Sequence, residues 1–84
     1  MPTIAMFYGI VILMHPRGKE HNPPHLHAYY GEYKASVALH NAKIFQGNLP
    51  PKAEQLVIEF TLKHQTELLT MWETQNFTKL PPLE

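Results

Sequence analysis

Hydrophobic residues follow a strand-like pattern in the first half of the chain and a helical pattern beyond residue 50. The run from Phe7 to Met14 is rich in β-branched and aromatic residues, and it predicts a buried strand. Similar segments over 25–30, 33–39 and 43–46 are separated by turn residues, and they predict further strands. The close spacing of these segments predicts a small antiparallel sheet of three to four strands.

One long C-terminal helix is predicted from Pro51 to about residue 75. Pro51 suits the first helical position, and Glu54 lies in the first turn, where a carboxylate complements the helix dipole. Apolar residues and one histidine recur every three or four positions along one face, which consists of Ala53, Leu56, Val57, Phe60, His64, Leu68, Met71 and Trp72. We expect this face to pack on the sheet, so the predicted class is α+β.

A second apolar line, formed by Ile58, Leu62 and Leu69, lies roughly opposite the first on the predicted helix. A surface helix with a polar outer side does not carry such a line, so we predict that it binds a partner protein or a second copy of the chain. The alternative is a helix that is sunk into a wide core or bordered by the C-terminal segment. We predict a single domain over 1–76 and an extended tail over 77–84.

The composition narrows the possible functions. The sequence contains no cysteine, which excludes disulfides and thiolate metal sites and fits a reducing compartment, so we predict a cytoplasmic location. Seven basic and seven acidic side chains give a net charge of zero, and the lysines are spread along the chain. Nucleic-acid binding by the protein alone is therefore not expected. The longest apolar run is too short to span a bilayer, so no membrane association is expected.

The candidate chemistry is concentrated in a histidine-rich segment that runs from residue 21 to residue 27, with the sequence His21-Asn22-Pro23-Pro24-His25-Leu26-His27. On a strand, His25 and His27 would project from the same face because side chains alternate with a period of two. Two imidazoles on one face can bind zinc or another divalent transition metal if a third ligand reaches them. We predict a metal site of His21, His25, His27 and Glu32, with His40 and His64 as further candidates for the remaining ligand.

Two other roles for these histidines stay open. His25 and His27, together with His64, are candidate catalytic residues for acid–base chemistry that needs no metal. Alternatively, the histidines only form hydrogen bonds that fix the loop. His64 falls on the apolar helical face, where a histidine is more often a core residue, and Glu67 lies three positions later, close enough to orient it. Covalent catalysis has little support, because Ser36 lacks the surroundings of a serine-hydrolase nucleophile.

Several of these segments resemble a known protein family. They are Met1-Pro2-Thr3-Ile4, Phe7-Tyr8-Gly9-Ile10, the histidine segment with Ala28, Tyr30-Gly31-Glu32-Tyr33, Leu49-Pro50, Glu59, His64, Glu67-Leu68 and Trp72. Together they are similar to the prokaryotic family catalogued as domain of unknown function 4160. The chain departs from the usual pattern at Phe60, where a tryptophan is common, and over residues 15–20, which are slightly longer than is typical.

The resemblance implies a partner rather than a specific reaction. Members of this family are small prokaryotic proteins without an agreed activity. Their genes often lie beside a member of the family called domain of unknown function 2442, in an arrangement similar to toxin–antitoxin or paired regulatory modules. The leading hypothesis is therefore an intracellular binding protein, one half of a two-protein module, with a histidine site that can bind a divalent metal. The alternative is a hydrolase or nuclease-type toxin that depends on a metal or on histidine acid–base chemistry.

Overall fold

The computed structural model describes residues 3–15 and 23–83. Its elements, in chain order, are β1 (Thr3–Phe7), β2 (Ile10–Leu13), β3 (His25–Tyr30), β4 (Tyr33–Ala38), β5 (Ile44–Asn48), α1 (Pro51–Lys63) and α2 (Gln65–Thr74). Each strand pairs antiparallel with the next, in the order β1-β2-β3-β4-β5. The α+β class and the antiparallel sheet are thus confirmed, whereas the predicted number of strands and the single helix are corrected.

The N-terminal apolar run belongs to two strands, β1 and β2, rather than to one. We predicted one strand from Phe7 to Met14, but the chain turns back at Tyr8 and Gly9, where φ is +49° and +81°. Two consecutive residues with positive φ form the type of tight turn whose twist matches a β-hairpin. The turn was hidden in the sequence because Tyr8 is apolar enough to extend the run, although its side chain is exposed.

The predicted single helix is broken at His64 into α1 and α2. The backbone there has φ −112° and ψ 23°, outside the helical region, so α1 ends and α2 begins at this residue. The Gln65 side-chain amide donates hydrogen bonds to the carbonyls of Leu39, at 2.7 Å, and His40, at 3.0 Å. These bonds tie the start of α2 to the chain just beyond β4.

One face of the sheet and both helices form a single core. Directly opposed residues such as Ile12 and Ala28 share this face, and the Phe7 ring stacks on the Phe60 ring of α1 with centroids 5.1 Å apart. The predicted apolar face of the helix is buried apart from the half-buried Leu56, so its assignment to the core is confirmed. The opposite face of the sheet carries the histidines described below.

The segment after α2 lies along the sheet and has no regular secondary structure. The Leu80 N–H donates a 2.9 Å hydrogen bond to the Ile4 carbonyl on edge strand β1, and Leu83 is buried. Phe77 and Leu80 also pack against the core. None of the helices in the described part of the chain is long and apolar enough to cross a membrane.

Candidate functional site

The second face of the sheet carries two rows of polar side chains. His27 lies directly opposite Ser36 across the β3–β4 pair, and Tyr29 lies opposite Lys34. Directly opposed residues of antiparallel strands project to the same side, so all four side chains share one face. Gln46 on β5 continues the first row because it lies opposite Ser36.

Three histidine rings form a continuous line on this face, which we call the histidine row: His15, His27 and His25. The ring centroids of His25 and His27 are 4.9 Å apart, which confirms that β3 places both on one face. The His15 ring lies edge-on to that of His27 at 4.2 Å. At the other end of the row, His25 contacts Trp72 of α2 with ring centroids 5.1 Å apart.

Sequence reasoning missed His15. The register between β2 and β3 pairs Leu13 with His27, which places His15, two residues later, on the same face as the histidines of β3. A local pattern could not show this, because residues 16–22 separate the two strands in the chain and the pairing register depends on how they meet.

The hydrogen bonds define what each imidazole can do. The His25 Nδ1 lies 2.8 Å from the Pro23 carbonyl, and since a carbonyl only accepts, Nδ1 donates. In the neutral ring the lone pair is then on Nε2, as in many metal-binding and catalytic histidines. The His27 Nδ1 lies 3.3 Å from the Ser36 hydroxyl, which can act as the donor or the acceptor.

An open cleft of about 340 Å³ lies beside the histidine row. Its lining consists of His15, His27, Tyr29, Lys34, Ala35, Ser36, Gln46 and Gly47. Gly47 has φ +80°, and a Cβ at this position would collide with the Lys34 carbonyl oxygen, so only glycine lets β5 approach β4 this closely. Among the described residues, the cleft is lined by imidazoles, hydroxyls, an amide and one ammonium group, without a carboxylate.

The predicted metal ligands do not all converge. His25 begins β3, whereas Glu32 is exposed in the turn beyond the other end of that strand. At about 3.3 Å per residue, the strand separates them by more than about 15 Å, too far for one coordination sphere. Glu32 and His25 therefore cannot bind the same metal ion, and the predicted ligand set is corrected at Glu32. His21 lies outside the described residues, and within the described ranges no group of three or more histidine or acidic side chains could hold a metal ion.

His64 lies in the core at the break between the helices. Its ring packs on Phe60 with centroids 4.8 Å apart, as expected of a core residue on the apolar helical face. Its Nδ1 is 3.5 Å from the Glu67 Oε2, which confirms that Glu67 lies beside it. That separation is short enough for an ion pair when the ring is protonated, but neither ring nitrogen has a hydrogen-bond partner among the described residues.

The three residues predicted to bind a partner differ in exposure. Leu62 is 55% exposed, and Ile58, one turn earlier on α1, is half-buried. Leu69, on α2, is partly buried against the core. Leu62 is thus the main apolar side chain that this line presents to solvent.

Comparison with known proteins places the chain in a family without assigning an activity. No curated protein and no solved structure matches it. The model of the family described as a domain of unknown function, DUF4160, matches residues 9–73. This stretch includes the histidine row, the cleft and nearly all of both helices. The chain therefore belongs to the DUF4160 family.

Proposed function

We propose that this protein is a cytoplasmic binding protein that forms one half of a toxin–antitoxin-like or regulatory two-protein module. The proposal rests on Leu62, a large apolar side chain that is 55% exposed on α1 beside the half-buried Ile58. Contiguous apolar area, rather than a single exposed side chain, is typical of binding surfaces, and Leu62 lies one turn from Ile58 on the same line of α1. The partner is a small protein encoded nearby, such as a member of the family called domain of unknown function 2442, or a second copy of the chain.

Mixing the protein with the product of the adjacent gene tests this proposal. We expect a stable complex by size-exclusion chromatography with light scattering, and we expect Leu62→Glu to weaken it at least about tenfold by calorimetry. Met6→Glu is the matched control, because Met6 is an equally apolar side chain that is 65% exposed on β1. If the wild-type protein binds neither the adjacent product nor itself, the module is excluded.

A second candidate, a histidine acid–base hydrolase of the toxin type, is favoured by the histidine row. His25 carries a lone pair on Nε2, and His27 lines the cleft beside Ser36. Two imidazoles can divide the work of hydrolysis: one takes a proton from the attacking water, and the other donates a proton to the leaving oxygen. We assign these roles to His27, which lines the cleft, and to His25, a buried ring whose centroid is 4.9 Å from that of His27, whereas the His64 ring packs on Phe60 at the break between the helices.

Growth after induced expression tests the hydrolase candidate. We expect the wild-type protein expressed alone to slow growth and His27→Ala to restore it, since His27 lines the cleft. His40→Ala is the matched control, because His40 is an exposed histidine in the turn after β4. Melting temperatures of the purified variants show whether each one folds. A folded His27→Ala variant that remains as harmful as the wild type would exclude catalysis by this residue.

We also propose that the histidine row contributes to a divalent-metal site. His25 donates through Nδ1 to a backbone carbonyl, the arrangement that orients many metal-binding histidines. The described residues alone do not complete a ligand set, so the proposal requires His21 as well. Calorimetry of the untagged protein with zinc, nickel, copper and manganese is expected to give stoichiometric binding. The His21→Ala and His25→Ala variants should both lose it. Binding that survives in His21→Ala would contradict this ligand set.

A further inference from the structure

Charged side chains are distributed unevenly between the sheet and the helices. Within the five strands, Lys34 is the one lysine, and there is no arginine, aspartate or glutamate. The helices, in contrast, carry four glutamates, Glu54, Glu59, Glu67 and Glu73, and two lysines, Lys52 and Lys63. A net charge of zero for the whole chain therefore conceals five strands whose one formally charged side chain is the Lys34 ammonium group. An anion that approaches the cleft meets one ammonium group and no carboxylate among the described lining residues.

The cleft combines this charge with hydrogen-bonding groups and rings. Lys34 and Tyr29 lie opposite each other in one row, and Ser36 and His27 lie opposite each other in the next. The two rows are separated by two residues along each strand, or about 7 Å. Ser36 is buried and the Tyr29 ring is half-buried, so the floor of the cleft is ordered, while the exposed Lys34 can reach over it.

We propose that this cleft binds the phosphate group of a nucleotide. The Lys34 ammonium group pairs with the phosphate, and the hydroxyl and imidazole of the Ser36–His27 pair supply hydrogen bonds. The base packs against the Tyr29 ring, because aromatic rings beside a cation are typical of sites for single nucleotides and for single-stranded nucleic acids. A volume of about 340 Å³ lies at the small end of ligand pockets, about 300–1,000 Å³, and matches one nucleotide better than a larger ligand.

This inference shares its site with the hydrolase candidate and names the substrate class for it, but binding does not require turnover. A nucleotide can reach the cleft either free in solution or as one unit of a single-stranded nucleic acid. The phosphate, the base and the lining residues are the same in both cases, so the two sources are separated by experiment.

The test is a fluorescence anisotropy titration of the full chain with a short, labelled, single-stranded RNA at low salt. Adenosine monophosphate and inorganic phosphate serve as unlabelled competitors. Lys34→Gln is expected to weaken RNA binding about tenfold, since it removes the charged contact to one phosphate. Lys63→Gln is the matched control, because it makes the same charge change at the exposed end of α1 and should leave the affinity unchanged.

The competitors identify the source of the nucleotide. Competition by adenosine monophosphate assigns the cleft to a free nucleotide, whereas RNA binding that resists it assigns the cleft to a nucleic-acid strand. If inorganic phosphate competes as well as adenosine monophosphate, the base is not recognised and the nucleotide assignment fails. Absence of binding by the folded wild type both to the RNA and, in a direct calorimetric titration, to adenosine monophosphate would overturn the proposal, as would equal losses in the two lysine variants. Binding that leaves the RNA intact would support this inference while contradicting the hydrolase.

Discussion

His64 is the least satisfied polar residue in the described part of the core. Both ring nitrogens are buried without a hydrogen-bond partner there, and the nearest carboxylate oxygen, from Glu67, is 3.5 Å away. An unpaired polar group in an apolar environment costs about 1–3 kcal/mol of stability. The unpaired imidazole at the junction of the two helices therefore lowers the free energy of unfolding.

Replacing His64 with leucine is expected to stabilise the fold. His64→Leu should raise the free energy of unfolding by about 1 kcal/mol, because it removes unpaired polar atoms while keeping apolar contact with Phe60. Urea denaturation followed by circular dichroism measures the change. Glu67→Gln, at an exposed carboxylate, should change stability little. A loss of stability in His64→Leu would show that the imidazole is hydrogen-bonded in solution.

Gly47 offers a second test at the residue scale. Gly47→Ala is expected to lower the free energy of unfolding by about 2–3 kcal/mol, because its positive φ disfavours a side chain and its Cβ would collide with the β4 backbone. Gly31→Ala is the matched control: Gly31 also has a positive φ, +58°, but an added Cβ would have no neighbour within 4 Å. Equal losses in the two variants, measured by thermal denaturation, would show that the collision at Gly47 relaxes.

At the scale of elements, the C-terminal segment protects an edge of the sheet. Edge strand β1 would otherwise expose the Ile4 carbonyl, which accepts a hydrogen bond from the Leu80 N–H. Unpaired edge strands invite association with other chains, and covering them with a further segment is one common protection. The segment is thus part of the fold, although it contains neither a helix nor a strand.

Leu83 anchors this segment, and shortening it should loosen the edge. Leu83→Ala is expected to lower the free energy of unfolding by about 1–2 kcal/mol, since it removes part of a buried side chain. Pro82→Ala, at the neighbouring exposed position, is the control and should have little effect. Urea denaturation measures both variants. If Leu83→Ala behaves like Pro82→Ala, the segment is not held against the sheet in solution.

In the whole molecule, the proposed phosphate binding depends on where the charges lie rather than on their sum. The chain is neutral overall, yet the sheet presents Lys34 and imidazoles while most of the glutamates lie on the helices. If one phosphate is bound by one lysine, the dependence of binding on salt should be weak.

A tenfold rise in salt concentration is expected to lower the association constant for single-stranded RNA only about fivefold, which corresponds to a slope of about −0.7. Anisotropy titrations at several salt concentrations give this slope directly. The Lys34→Gln variant should show a slope close to zero. A steep wild-type slope, of about −3 or beyond, would indicate that several lysines outside the cleft bind the nucleic acid.

The candidate site was only partly predictable from the sequence. The shared face of His25 and His27 follows from their spacing on one strand, and it is confirmed. The separation of His25 from Glu32 was also implied by the sequence, because the predicted strand over 25–30 places the two residues at opposite ends of one strand. Ser36 and His15 each lie beside His27, and this depends on strand register, which is set by pairing between separate segments.

Local sequence patterns were sufficient to predict strand β3, the turn at Gly31, the buried helical face from Ala53 to Trp72, and the family. These follow from side-chain periodicity, turn preferences and motifs, all of which act over a few residues. Three further features are seen only in the folded structure: the N-terminal apolar run folds into a hairpin, the helix breaks at His64, and His15 and His27 lie beside Lys34 in one cleft. The break at His64 and the cleft involve contacts between segments that are distant in the chain, whereas the hairpin depends on a local turn at Tyr8 and Gly9 that the apolar run conceals.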